Sequence, residues 1–573
     1  MTTPEQFKAM QRKERSECLQ KILDSTAKRK LIVAGPGTGK TFTFGKLLDK
    51  KRSGNNLAMT FIKKLVEDMK AKLSDFAEVK TLHAYCKKIL HAQEGECVLV
   101  PFLTKIIKSD ANILGESLYD FDEKFRTLAE NCEEITFYLN RGDYYGALGF
   151  DDSVYRLYNK FKKNPEIIPS FGQILIDEFQ DFNPLEVAFI GELAKKGQIL
   201  IVGDDDQAVY DDRDASSMHL RRIYKSPKFA KFELPFCSRC PEVIVKVTNC
   251  LIDASQKSGH LKGRIPKRFE CYFDEKEADS IKYPKIILAC CSTASTVSRY
   301  IQKEIELIPQ DDIEESHNKD DEYPTVLVVG MKHYLREIAS YLRKFYPYVF
   351  FTPSEPLTYG ITDAYECLIR DQRSNLGWRI LVELFTDAST LRKIIKASKD
   401  NTPIIELISG DFRTRHQIAL SIIRKVQSQG KPSPADRTEL RRILGAYTKK
   451  VLVHFTPVAN NEPSKMDGTK PKILLTSCKG CKGLSAGHVF IVGVHSDSMP
   501  RDVADIEDVE ISQFVVALTR TRKQCHVLSN KWFRSPKDKK GRWIEPYQES
   551  IFISWIPKQL INNRGMLKAT NLK

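Results

Sequence analysis

The stretch of this chain best equipped for chemistry is Ala34-Gly-Pro-Gly-Thr-Gly-Lys-Thr41, directly behind the apolar run Leu31-Ile-Val33. A strand feeding a glycine loop, a lysine, a hydroxyl residue and a helix-like pattern turns successive backbone N–H groups inward. Those groups hold phosphate oxygens, and the helix N-terminus adds partial positive charge. In such a loop Ala34, Gly35, Pro36, Gly37, Thr38 and Gly39 would wrap the phosphates of a nucleotide. Lys40 would reach the β- and γ-phosphates, and the Thr41 hydroxyl would hold Mg²⁺. Ala34 stands where the strict pattern has Gly.

A phosphate loop needs a carboxylate site for the metal and for an attacking water. Ile174-Leu-Ile176 runs into Asp177-Glu178-Phe-Gln-Asp181, an apolar strand ending in two adjacent acids. Ligand sites of parallel sheets form at that end of a strand. Asp177 would hold the metal, and Glu178 would polarise the water. Ile199-Leu-Ile-Val202 repeats the grammar before Gly203-Asp-Asp-Asp-Gln207, where Gln207 is placed to sense a γ-phosphate and Arg213 follows shortly after. Three such strands describe a parallel sheet with one ligand edge.

These segments and several others, in order, resemble the UvrD/Rep group of superfamily 1 helicases, from about Gln20 to Arg522. Gln20 has the spacing of the group's adenine-reading glutamine. Thr60-Phe-Ile-Lys-Lys64 with Met69 is similar to its first motif contacting single strands, and Thr81-Leu-His83 to its second. Arg239 in Pro235-Phe-Cys-Ser-Arg239 aligns with a γ-phosphate arginine of a second core domain. Lys482-Gly-Leu484 before Val489-Phe-Ile-Val492, and Thr519-Arg520 within Val515-Val-Ala-Leu-Thr-Arg520, complete the series. The resemblance implies an α/β fold of two tandem RecA-like parallel-sheet P-loop domains, each with a mainly helical insertion. It implies ATP and Mg²⁺ as cofactors, with Lys40, Glu178, Gln207, Arg239 and Arg520 serving catalysis. Thr60, Phe61, His83 and Arg213 would contact DNA, with Phe61 the foremost stacking candidate. The expected partners are single-stranded DNA and single/double-strand junctions, with 3′→5′ movement.

The chain also departs from the group. Ser238 replaces the tyrosine that stacks on adenine, leaving base selectivity to Gln20, and Asp212 replaces an aromatic that stacks on DNA bases. Ser485 replaces a ribose-touching glutamate, and Lys479 a histidine. None touches the hydrolytic centre, so ATP hydrolysis is a firmer expectation than processive unwinding. An RNA-directed helicase and an ATP-driven remodeller that strips proteins from DNA stay open as alternatives.

At 573 residues, with 42% hydrophobic and 29% charged residues, the chain has length for several globular domains. A net charge of +16 favours a polyanionic partner. No apolar run approaches the length of a membrane span, about 18 residues, and the N-terminus lacks a signal-peptide pattern, so an intracellular protein, cytoplasmic or nuclear, is expected. Its cysteines then read as reduced thiols, and the Cys237/Cys240 and Cys478/Cys481 pairs as something other than a shared metal site. Residues 1–86 and 166–235 are expected to form one core domain interrupted by a helical insertion, 87–165. Residues 236–365 and 471–573 are expected to form a second, interrupted by a reduced insertion, 366–470. The acidic run Asp311 to Glu322 and the basic run Arg534 to Lys540 read as solvated loops.

Overall fold

The computed structural model describes residues 3–50, 55–94, 98–130, 132–318, 321–351, 358–457, 467–538 and 540–568. The chain divides into two compact units, one of Met1–Leu82, Ile168–Ser354 and Met466–Lys573, the other of His83–Ile167 and Glu355–Lys465.

The first unit carries two parallel sheets. Strands β1 (Arg29–Ala34), β2 (Leu57–Thr60), β3 (Glu78–Thr81), β4 (Phe171–Ile176), β5 (Gly197–Gly203) and β6 (Ala230–Leu234) form a six-stranded sheet ordered β3-β2-β4-β5-β1-β6. Their continuous apolar runs suit strands covered on both faces, and all four residues of β2 are buried. Register brings Val33 beside Gly203 and Met59 beside Ile176. The phosphate loop, the Asp177-Glu178 pair and the Asp204 to Gln207 segment therefore leave the same edge of one sheet.

The second sheet is seven-stranded and parallel, built from β7 (Ile286–Thr293), β8 (Val326–Val329), β9 (Val349–Phe351), β10 (Ile473–Thr476), β11 (Ala486–Val492), β12 (Thr521–Trp532) and β13 (Ile561–Leu567). Its order is β9-β10-β8-β11-β12-β7-β13. The expected α/β fold with two parallel-sheet cores is what the chain adopts. One sequence reading needs correction here. The first half of the acidic run is not a solvated loop, because Gln310–Ser316 is helical and Asp312 is 2% exposed. Asp312 accepts hydrogen bonds from Tyr283 Oη at 2.5 Å and from Lys282 and Lys523 Nζ at 3.0 Å each. Burial works against its charge, but these donors and His488 hold its carboxyl far below the usual carboxylate range.

Helix α1 (Pro4–Asp24) starts at a capping box between Thr3 and Gln6, with Pro4 in its first turn. Helix α2 (Lys40–Lys50) begins on the loop lysine itself. A short parallel pair, Phe236–Cys237 with Glu270–Cys271, precedes the second sheet. Ser238 N–H donates to Gly37 O at 2.9 Å, so this segment is hydrogen-bonded to the phosphate loop.

The second unit is helical apart from the short strand pair Val98–Leu99 and Ala147–Leu148. Its two sequence segments meet on a buried carboxylate. Asp110 of Leu103–Leu114 accepts from Arg141 Nη2 at 2.6 Å and Arg379 Nε at 2.9 Å, and from the Tyr145 hydroxyl. Asp110 and Arg379 have no exposed side-chain surface. Removing one partner of a buried ion pair strands the other charges in a low dielectric. We therefore expect Asp110→Ala to destabilise the helical unit by about 3–5 kcal/mol. Arg373→Ala, which breaks an exposed pair with Glu406, should cost under about 0.5 kcal/mol. Urea denaturation of both variants checks the contrast.

Candidate nucleotide site and adjoining groove

The phosphate loop adopts the backbone its glycines permit. Gly37 has φ +69° and Gly39 φ +89°, conformations that L side chains rarely adopt. Gly37 is constrained twice, because a Cβ there would lie 2.4 Å from Arg239 Cβ. The Thr38 hydroxyl donates to Gly35 O at 2.9 Å, bracing the turn.

Pro36 to Phe42, Asp177, Glu178, Gln207, Ser238, Arg239, Glu275, Asp321, Arg520 and Arg522 line a cleft of about 330 Å³. Lys40 Nζ donates to Glu178 Oε1 at 3.0 Å. Glu178 sits in the left-handed region at φ +53°, a strained conformation held by its surroundings. Its Oε2 accepts from Gln180 Nε2 at 2.6 Å, while Gln180 Oε1 accepts from Asp204 N–H at 3.0 Å. Asp204 Oδ2 accepts from Gln207 Nε2 at 2.6 Å, and Gln207 Oε1 accepts from Arg520 Nη2 at 2.9 Å. A continuous hydrogen-bonded chain thus runs from the arginine that precedes β12 to the loop lysine.

Electrostatics within the cleft are divided. Burial raises Asp177 to about 6, reinforced by the charge of Glu178. Burial opposes the charge of Glu178 too, but Lys40 and Lys482 prevail and hold it below the usual carboxylate range. Burial, with Arg520 and Arg522 nearby, lowers Arg239 to about 10. Arg239 reaches only Thr519 O, at 3.5 Å, and no carboxylate pairs with it among the described residues. The donor set fits a hard divalent cation: one buried carboxylate whose charge nothing nearby fully compensates, and the Thr41 hydroxyl on the same cleft. Asp204, Asp205 and Asp206 are different, because Lys267 Nζ already lies 2.7, 2.6 and 2.8 Å from them.

Two residues emerge that the motifs alone did not mark as site residues. Lys482, 1% exposed at its side chain, lies 2.6 Å from Asp181 Oδ2 and donates to Gln207 O at 2.5 Å. It ties the segment after β10 to the acidic end of β4. Lys479 lies 2.7 Å from Asp212 Oδ1, so two of the departures noted above pair with each other. Their positions are 267 residues apart, and no local pattern could have revealed the pairing.

The structure does not bring every expected residue to the site. Gln20 is exposed on α1, donates to Asp24 Oδ1 at 2.8 Å, and does not line the cleft. Helix α1 turns a different face inward. That face carries Gln11, 3% exposed, which bonds the backbone of Cys271 and Phe273, and Arg15, 4.2 Å over Tyr272. Thr60, at the end of β2, has no exposed surface. His83 belongs to the helical unit, buried edge-on to Phe150 at 5.2 Å. Phe61 and Arg213 do come together: the guanidinium lies 4.6 Å over the ring, and Tyr210 stands 5.2 Å from it.

Residues 19–213 match the family described as AAA domain. The chain is 26% identical to DNA helicase II of Haemophilus influenzae over 39% of its own length and 38% of that protein. It is 26% identical to the ATP-dependent DNA helicase PcrA of Bacillus subtilis over 36% of its length and 35% of that protein. It is 23% identical to the ATP-dependent DNA helicase Rep of Buchnera aphidicola over 69% of its length and 66% of that protein. The chain thus spans under half the length of the first two of these curated relatives. With its ordered motifs on two parallel sheets, the chain is thus similar to DNA helicases of the UvrD/Rep group of superfamily 1.

Proposed function

We propose that this chain is an ATP-dependent DNA helicase or translocase, acting on single-stranded DNA and at single/double-strand junctions in repair, recombination or replication. The observation that carries the reading is one cleft with Lys40 and Glu178 on one wall and Arg239, Arg520 and Arg522 on the other. Positive groups from two sheets facing a glycine loop suit a triphosphate whose charge must be neutralised from both sides. The names of the relatives, which describe DNA helicases, support the substrate and the partner. The direction, 3′→5′, follows from the family alone.

In this reading Lys40 exchanges Glu178 for the β- and γ-phosphates. The freed Glu178, oriented by Gln180, then accepts a hydrogen bond from the attacking water. Mg²⁺, held by Thr41 and Asp177, would neutralise charge developing on the β- and γ-oxygens. Arg239 and Arg520 contribute from the far wall. Gln207 holds Arg520 in register, so the second sheet completes the site only in the closed cleft. Each cycle of closing and reopening would advance the chain along its strand, with Phe61, Tyr210 and Arg213 forming an aromatic and cationic surface beside it. One observation favours the remodeller alternative: Lys479 and Asp212 put an ion pair where a base would stack.

Lys40→Ala should reduce ATP hydrolysis by on the order of a hundredfold or more while circular dichroism stays unchanged; near-normal turnover would refute the nucleotide-site assignment. Glu178→Gln should bind ATP yet hydrolyse it at least about a hundredfold more slowly, a separation read by equilibrium nucleotide binding beside turnover. A strand-displacement assay on tailed duplexes, with DNA and RNA tracking strands and both tail polarities, separates the alternatives. Unwinding from a 3′ DNA tail is expected. ATPase stimulated by DNA without unwinding would select the remodeller, and a preference for RNA tails would overturn the DNA assignment.

A further inference from the structure

The rim of the cleft, where the base of a bound nucleotide must lie, has an unusual chemistry. Specific base reading needs polar groups with fixed donors and acceptors, such as a side-chain amide. A site of that kind rejects a ligand lacking its partner by roughly 10⁴–10⁵, whereas apolar contact discriminates only about 10–200-fold. Gln207 supplies the one amide side chain lining the cleft, among the described residues. Its Oε1 is taken by Arg520 and its Nε2 by Asp204. Gln11, which faces this side of α1, is also spent. Its Nε2 donates to Cys271 O at 3.0 Å, and its Oε1 accepts from Phe273 N–H at 3.0 Å. Gln20 points elsewhere.

What remains at the rim discriminates poorly. Phe42 follows Thr41 directly, lines the cleft and is 56% exposed, a large aromatic face left open beside the phosphate loop. Lys46, one turn along α2, lies 5.5 Å over its ring. The Ser238 hydroxyl is buried with no hydrogen-bond partner, and a rotating hydroxyl serves a donor or an acceptor equally. Arg15 and Glu275 are paired with each other at 2.9 Å. Every base has a π-face, so stacking on a ring tolerates any of them.

We infer that this site selects the triphosphate and not the base: Phe42 stacks whichever base is presented, and GTP, CTP and UTP are substrates alongside ATP. The inference rests on the nucleotide-hydrolysis reading above and goes beyond it by assigning substrate breadth and the residue responsible.

The test compares Mg²⁺-dependent hydrolysis of ATP, GTP, CTP and UTP by the full chain, wild type and Phe42→Ala, with single-stranded DNA present. In the wild type the four kcat/KM values should fall within about tenfold of one another. Phe42→Ala should lower all four by a similar factor, roughly tenfold, mainly through KM. Phe42 is exposed, so folding should survive, and circular dichroism verifies it. A preference for ATP above about a hundredfold would overturn the inference while leaving hydrolysis itself established. So would a Phe42→Ala loss confined to ATP. Hydrolysis of none of the four would instead overturn the underlying reading.

Discussion

Buried charge has to be compensated where two sheets meet, and the pairing of Lys40 with Glu178 is the point around which that compensation is arranged. A lysine and a glutamate withdrawn from water each incur several kcal/mol of desolvation, and only a close partner offsets it. The 3.0 Å contact does so in the geometry seen here, but any anion entering the loop competes for Lys40 and leaves Glu178 dependent on Gln180 and Lys482. The acids at the end of β4 are held in part by Lys482, and Gln207 by Arg520, both from segments flanking strands of the second sheet. The close approach at Gly37, where no Cβ fits, keeps the Arg239 segment against the loop.

The acidic triplet beside that seam follows the same rule. Three adjacent aspartates at a strand end would repel one another strongly; Lys267 and Arg264 neutralise them from the segment after Glu242–Lys257, and Arg221 pairs with Asp205 from the helix Ser217–Lys225. Burial disfavours the charge of Lys267, yet the three carboxylates raise its pKa well above the ordinary lysine value. Similar logic joins Lys479 to Asp212. The pair forms a contact between the segment after β10 and the segment after β5.

How much of this was legible in the sequence depended on the range over which each feature is determined. The glycine loop and the Asp177-Glu178 turn are set by neighbours within ten residues, and their apolar strands announce themselves by composition. The shared sheet edge follows from parallel topology. Spacing along the chain says nothing about helical phase: α1 runs 21 residues, and the face it buries carries Gln11, with Gln20 left exposed. The burial of Thr60, the last residue of its strand, was likewise not visible in its motif. Asp312 looked solvated in an acidic run, but Lys523, 211 residues later, gives it a buried partner. Lys482 was visible as part of a motif, whereas its bond to Asp181 exists only in three dimensions.

The central claim is that the hydrogen-bonded path from Arg520 through Gln207 to the acidic strand end works as one device, so that the second sheet reaches the reacting phosphate through it. A double-mutant cycle in DNA-stimulated ATP hydrolysis tests this directly, using Gln207→Ala, Arg520→Ala and the double variant. Residues acting as a unit are non-additive. The account predicts that the double variant loses no more activity than the worse single variant. Losses that multiply would show that Gln207 and Arg520 act independently, contradicting the account.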